Sequence, residues 1–395
     1  MKILVVCQHY YPEPFRITDI CEELVKRGHE VTVVTGTPNY PMGKIYAGYE
    51  KGKMRDEIRA GVKIHRCFEI GRRTGTLFRF LNYYSFAISS KRYVKRMKEK
   101  FDVVFANQLS PVMMVNGAVA YKKKQGAKLV MYVMDLWPES LIVGGVKRGS
   151  LLYKYYHKVS KKIYREADKL LVTSKLFKDY LSKEFGIDKG GIGYLPQYAE
   201  DLFSAVDRKK EPNGSVDLLF AGNIGAAQSL MTVCNAATKT QDLPVCYHIV
   251  GDGIELEKCK AYCTEHGLSK VVFYGRRPLN EMSNFYAKAD GMLLTLVKDE
   301  VLSLTLPGKA QTYMAAGKPV IGAIDGAGAE FIKEANCGYV SEAENAEVLA
   351  ENIRAFYEDV KTGKAIEFGA NARAYYEQHF AKENFLTNLE KAFEE

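Results

Sequence analysis

Three stretches of the chain bring together residue types that could do chemistry. From Pro307 to Gly322 the sequence reads PGKAQTYMAAGKPVIG. Pro307 and Gly308 punctuate an entry turn, and Lys309 stands just before Ala310 to Ala316, a run of mostly good helix formers. Gly317 suits the left-handed end of that helix, and Pro319 forbids its continuation. Val320-Ile321-Gly322 then reads as a buried parallel strand. A loop and helix N-terminus beside a parallel sheet attract phosphate, because free backbone N–H groups and the helix dipole face the anion; Lys309 adds a point charge there. The second stretch, AGNIGAAQ from Ala221 to Gln228, is a Gly-rich loop leading from a strand into a helix. The third is DLWPES, Asp135 to Ser140, which sets two carboxylates beside the only tryptophan at the carboxyl end of a strand, where ligands sit in open α/β sheets. Its alternative is a capped turn with Trp137 in the core.

These stretches are held by alternating elements. Lys2 to Val6 is an apolar strand, Arg16 to Arg27 has helical periodicity, and Val31 to Thr35 is a second strand, which together make a parallel crossover unit. Further strands are expected at Val62–Phe68, Phe101–Ala106, Lys128–Met134 and Ala167–Thr173, with helices at Leu77–Lys100, Ser110–Lys124, Leu151–Arg165 and up to Phe185. Gly193 to Pro196 begins a linker, and the charged run from Lys209 to Gly214 places a boundary near 196–215. The pattern then restarts, with strands at Val216–Phe220, Val245–Val250, Val271–Tyr274 and Asp290–Leu296. The tail from Ala346 is mostly helical. The reading is α/β: two doubly wound Rossmann-like domains facing a cleft, 1–197 and 198–369, with residues from about 370 to 395 packing back on the first.

At 395 residues two domains are the expectation, and 47% apolar content is that of an ordinary globular chain. No apolar run reaches the ~20 residues of a membrane helix. MKILVVCQHYYP does not read as a signal peptide, so the chain is expected in the cytosol. The eight cysteines are scattered; Cys259 and Cys263 lie one helical turn apart, but no further pair completes a zinc site. The first loop lacks Gly-x-Gly-x-x-Gly, which argues against an NAD enzyme. The net charge of +9 favours anionic partners. Two basic, aromatic stretches, Phe78–Lys100 and Tyr153–Arg165, suit an anionic membrane surface better than nucleic acid, since no basic aromatic nucleic-acid module is present.

The whole chain resembles the glycosyltransferases of family 4, which have the GT-B fold. The marks are MKILVVCQHYYPEP, DLWPES, AGNIGAAQSL, VGDG, FYGRRPLNEM, and PGKAQTYMAAGKPVIG followed by GAGAEFI. DLWPES with LPGK and YMAAGKP resembles a bacterial subgroup of O-antigen and capsule synthesis that includes N-acetylfucosamine transferases. The resemblance implies a nucleotide sugar, by family expectation a UDP-sugar, bound mainly by the second domain. It implies an acceptor bound mainly by the first domain, cleft closure, anomeric retention, and no metal or other cofactor. No Asp-x-Asp motif at a strand end is present, which agrees. One departure stands out: where the family has two glutamates eight positions apart, this chain has Leu304 and Thr312.

Carried onto this sequence, the resemblance gives Gly222, Asn223, Ile224 and Gly225 as a backbone cradle for the diphosphate, with Lys309 as its cation. Gln228 stands where many relatives have lysine, and Gly251 lies in the next strand-end loop. Gly275, Arg276 and Arg277 would border the base, Thr312 the ribose, and Glu330 the sugar hydroxyls. Glu300 could approach the cleft in place of a missing glutamate. On the first domain His9, Glu13, Asn107, Ser110 and Trp137 would contact the acceptor, and Asp135 or Glu139 could take its proton. The leaving phosphate could equally take that proton. The acceptor expected is a polyprenyl-diphosphate-linked glycan at the inner face of the cell membrane. The alternatives are a non-catalytic nucleotide-sugar-binding or assembly subunit, and a GT-B nucleotide-sugar 2-epimerase. Nothing in the sequence fixes an oligomeric state.

Overall fold

The computed structural model describes residues 1–73, 75–206 and 214–395. The charged linker expected at 209–214 therefore lies, apart from Gly214, outside the described residues. The chain divides into two compact units, Met1–Leu195 with Leu386–Glu395, and Pro196–Phe385.

The first unit is built on an eight-stranded sheet: β1 Lys2–Val6, β2 Glu30–Thr35, β3 Asp56–Arg59, β4 Val62–Arg66, β5 Val103–Gln108, β6 Lys128–Val133, β7 Lys169–Val172 and β8 Ile192–Tyr194. Their order is β3-β4-β2-β1-β5-β6-β7-β8, parallel throughout except for the antiparallel β3–β4 edge. Ile3 to Val6 and Val103 to Ala106 are wholly buried, which is why the central strands read as unbroken apolar runs. The sequence reading missed β3 and β8. Ile192–Tyr194 pairs with β7 and is an edge strand, not the start of a linker. The last ten residues belong to this unit: Glu390 receives hydrogen bonds from Arg27 at 2.7 Å and pairs with His29 at 2.8 Å, while Lys128 donates to the Ala392 carbonyl at 2.8 Å. Of the 370–395 segment expected to return here, residues 370–385 count with the second unit.

The second unit has six parallel strands: β9 Val216–Ala221, β10 Val245–Val250, β11 Val271–Gly275, β12 Gly291–Thr295, β13 Val320–Ala323 and β14 Gly338–Ser341. Their order is β11-β10-β9-β12-β13-β14. Leu218, Phe220, Tyr247, Leu293 and Ile321 face a core shared with the helices Leu230–Thr238, Leu256–Glu265 and Ala346–Thr362. In both sheets the first strand of the unit has neighbours that leave it in opposite chain directions. These switch points, β1/β5 and β9/β12, open crevices at the carboxyl ends of the strands.

The basic aromatic helices differ from expectation in one respect. Tyr83, Phe86, Tyr153, Tyr156 and Tyr164 are buried in the first unit and are not surface anchors. Rings of that size contribute most of their apolar area to the core when a neighbouring helix covers them. Among the described residues no helix is long and apolar enough to cross a membrane.

Candidate active site

In the second unit, the Gly-rich loop leaves β9 beside the switch point. Gly222 has φ +134° and Gly251 φ +150°, and a Cβ on Gly251 would sit 1.8 Å from the Gly222 carbonyl oxygen. The two strand-end loops thus run in contact because both residues lack a side chain. The contact corrects the expected cradle. The Gly222 amide donates to Val250 O at 2.9 Å and the Ile224 amide to Asp252 O at 2.9 Å, so neither faces a ligand. The Gly225 amide donates to Gln228 Oε1 at 3.1 Å, and Asn223 Nδ2 donates to the same oxygen at 3.1 Å. Gln228 is therefore a clamp inside the loop, tied further by Thr295 Oγ1 donating to its carbonyl at 2.6 Å.

Lys309 is the cation of this site. It lies in the first turn of the Gly308–Ala315 helix, one residue shifted from the expected start at Ala310. Its Nζ is buried, has no hydrogen-bond partner among the described residues, and lies 3.8 Å from the centroid of the Phe220 ring. A Cβ on Gly222 would stand 3.4 Å from that Nζ, so the glycine leaves room alongside the ammonium. Burial pushes the Lys309 pKa down to about 7. A buried ammonium without a carboxylate is costly, and an anion is the partner that would relieve it.

The remaining second-unit candidates are less committed. Thr312 Oγ1 donates to Lys309 O at 2.9 Å and bonds Tyr286 OH at 3.1 Å, so its hydroxyl is already engaged. Glu300 is exposed in the loop after β12, while its neighbour Asp299 caps the amides of Val301 and Leu302 at 2.8 and 2.9 Å. Glu330 is exposed on the Ala327–Glu334 helix. Gly275, with φ +67°, accepts the Gly251 amide at 2.9 Å; Arg276 and Arg277 are exposed beyond it, and Arg277 Nε donates to Tyr274 O at 3.2 Å.

In the first unit, the expected acceptor residues gather at the carboxyl ends of β1, β5 and β6. His9 Nδ1 lies 2.9 Å from Glu13 Oε2, and the His9 ring stacks on Phe15 at 4.7 Å. Glu13 Oε1 accepts the amides of Asn39 and Tyr40 at 2.7 and 2.6 Å. Both oxygens are used and the residue is buried, so Glu13 orients His9 and a loop and does not itself face an acceptor. Asn107 is buried within β5. Ser110 links the next two loops: its amide donates to Asp135 Oδ2 at 3.1 Å, and its hydroxyl accepts Trp137 Nε1 at 2.9 Å. Burial raises the Asp135 carboxyl above its ordinary pKa, against the lowering effect of the Ser110 hydrogen bonds.

Two expectations for DLWPES are overturned. Trp137 is 1% exposed and packs edge-on against Tyr83 and Tyr156, so it is a core residue and not an acceptor contact. Glu139 is wholly buried. Its Oε1 accepts hydroxyls from Tyr153 at 2.6 Å and Tyr180 at 2.5 Å, and its Oε2 pairs with Arg148 at 2.7 Å. A carboxylate with every partner supplied by its own fold is a structural hub and no proton acceptor for a ligand.

Sequence reasoning also missed a group. Glu69 is buried after β4, and its Oε1 accepts Gln8 Nε2 at 2.8 Å, Asn82 Nδ2 at 2.6 Å and Asn39 Nδ2 at 3.2 Å. Burial pushes its pKa up to about 7. A lone carboxylate between Phe68 and Ile70 was the available signal. Among the described residues no group of three or more His, Cys, Asp or Glu is placed to hold a metal ion.

A GT-B fold with a cation-lined crevice at the second sheet's switch point defines a class, the two-domain glycosyltransferases. Residues 16–196 match the profile of Glycosyltransferase Family 4, and residues 215–359 match Glycosyl transferases group 1. The chain belongs to the family 4 glycosyltransferases. It is 27% identical over 233 residues to WbjE of Pseudomonas aeruginosa, named as a glycosyltransferase, with 57% of this chain and 58% of that protein covered. It is 24% identical to WcaI of Escherichia coli K12, named as a colanic acid biosynthesis glycosyl transferase, over 80% of this chain and 82% of that one. The chain thus spans a little over half the length of the first of these relatives. The crystal structure of Anabaena HepE in complex with UDP has the same fold, with a TM-score of 0.73, 14% identity and full coverage of both chains.

Proposed function

We propose that the protein is a retaining, metal-independent glycosyltransferase that moves a sugar, an N-acetylamino sugar by subgroup resemblance, from a UDP-sugar to a lipid-linked glycan. The observation that carries this reading is the buried, unpartnered Lys309 ammonium beside Gly222 at the β9/β12 switch point. A diphosphate supplies the charge that this ammonium lacks, and the ammonium stabilises the charge that develops on the leaving group. UDP in the HepE structure supports the choice of nucleotide. The relatives' names support capsule, O-antigen or exopolysaccharide synthesis, with a polyprenyl-diphosphate-linked acceptor.

In the reaction proposed, the acceptor hydroxyl oxygen attacks the anomeric carbon as its bond to the diphosphate breaks. The bonding pair leaves with the diphosphate, and the hydroxyl proton passes to a diphosphate oxygen or to Asp135. His9, held by Glu13, contacts the acceptor. The metal-free chemistry rests on Lys309 and loop amides in place of a cation.

One observation favours a second reading, a nucleotide-sugar-binding subunit without turnover: Leu304 and Thr312 hold the places of the family's glutamates. Release of UDP from candidate UDP-sugars in EDTA, with a polyprenyl-diphosphate glycan present, tests the two. Turnover lost in Lys309→Met supports the transferase. Binding without turnover for every donor and acceptor supports the subunit.

A further inference from the structure

Two helices of the first unit carry the same progression along one face. On the Thr76–Arg96 helix, positions 77, 81, 84, 88, 91 and 95 follow the spacing of a single helical stripe, and they are Leu, Leu, Tyr, Ile, Lys and Lys. Leu77, Leu81 and Ile88 are exposed at 68%, 39% and 46%. The Leu151–Tyr164 helix repeats the pattern with Leu151, Leu152 and Tyr155 exposed at its start and Lys158, Val159 and Lys162 following. The helices lie side by side, joined by the Tyr84–Tyr156 hydroxyl contact at 2.9 Å and by stacking of Phe80 on Tyr156.

Where the apolar stripes end, a groove of about 460 Å³ opens against the Asn116–Gln125 helix. Its floor is Val119, Ala120, Val159 and Ile163, and lysines 91, 95, 123 and 162 rim it. Lys123 is paired with Glu166. Lys91, Lys95 and Lys162 have no carboxylate partner among the described residues. An exposed apolar patch running into an unpaired lysine groove with an apolar floor is complementary to an amphiphile with an anionic head. A free phosphate would leave the apolar stripes uncovered, and an RNA would need exposed rings along the groove, whereas most rings of these helices are buried.

We propose that this face docks on a bilayer, with an anionic phospholipid headgroup seated in the lysine groove and the leucine stripes at the acyl boundary. The proposal deepens the membrane part of the functional reading, and its failure is separable because the face contains none of the donor-site residues.

The test is partition of the full-length protein onto phosphatidylcholine vesicles with and without phosphatidylglycerol. Each lysine near an anionic surface changes partition about fivefold. Lys91→Gln/Lys95→Gln/Lys162→Gln should therefore lower binding to the anionic vesicles about a hundredfold. Leu77→Ser/Leu151→Ser should lower it about tenfold, since both side chains are largely exposed in the free protein. All variants should keep the wild-type melting temperature and its shift with UDP. Wild-type binding by the lysine variant overturns the proposal. So does release from vesicles by millimolar inorganic phosphate, which would reduce the groove to a free-anion site. Equal affinity for a short single-stranded RNA would assign the face to nucleic acid and also overturn it. Loss of the UDP shift with vesicle binding intact would count against the donor reading alone.

Discussion

The Nζ of Lys309 lies 3.8 Å from the centroid of the Phe220 ring, with no hydrogen-bond acceptor supplied by the described residues. A cation–π contact of this kind contributes about 0.5–2 kcal/mol. Removing an ammonium from water costs several times that when no counter-charge follows it. The ring therefore positions the lysine without compensating it, and the site is built to be completed by an anion.

This imbalance has a pH signature. The folded Lys309 pKa is near 7, against an ordinary 10.5. Between those values the unfolded chain holds a proton that the folded chain does not, so stability from this group rises with pH. Below about 7 both states are protonated and the burial cost is constant. Urea midpoints measured from pH 6 to 10 should show Lys309→Met more stable than wild type at the acidic end, with the gap closing as pH rises. Parallel curves would mean that Lys309 is not buried as described.

Glu69 gives the opposite slope. Its pKa is raised to about 7 from an ordinary 4.5. Between these values the folded state holds the extra proton, so this contribution is full below about 4.5 and is lost as pH rises through about 7. Glu69→Gln keeps the neutral form at every pH. The variant should flatten the acid-side stability profile of the first unit while leaving UDP binding unchanged, as followed by melting with and without UDP.

Glu139→Ala should lower stability by about 3 kcal/mol, since it strands the buried Tyr153 and Tyr180 hydroxyls and removes the Arg148 partner. Denaturant unfolding measures the loss. A variant as stable as wild type but without turnover would restore Glu139 to the chemistry.

Much of the fold was legible because the central strands are unbroken apolar runs closed by Gly and Pro. Val245–Val250 was read with its observed bounds, and Gly317, with φ +61°, ends the helix it was expected to end. Edge strands were not legible: Asp56–Arg59 alternates exposed and half-buried residues and has almost no apolar content. The site was half legible. Lys309 could be placed by the turn before it, but the fate of Glu139 depends on Tyr153 and Tyr180, which reach it from two later helices. The cradle amides were misjudged because Gly251 and Gly253 bring a neighbouring loop against Gly222 and Ile224, a contact that no local pattern announces.

That contact is itself testable. Gly251→Ala would put a Cβ 1.8 Å from the Gly222 carbonyl at a left-handed φ of +150°. It should cost about 2 kcal/mol or more in stability and weaken nucleotide binding, as the loop carrying Gly222 must move away from Lys309. Unchanged melting and unchanged UDP affinity would show that the two loops are not packed together.

The most direct measurement is the thermal shift of wild type and Lys309→Met with UDP, GDP, ADP and their sugars, in EDTA. Ligand at about a hundredfold its dissociation constant should stabilise the wild type by ~2.7 kcal/mol. The expected result is a shift with UDP and a UDP-sugar, and a dissociation constant raised about 10- to 100-fold in Lys309→Met, the range of a charged hydrogen bond. No shift with any nucleotide, or an equal shift in the variant, would contradict the assignment of Lys309 and its crevice to the donor diphosphate.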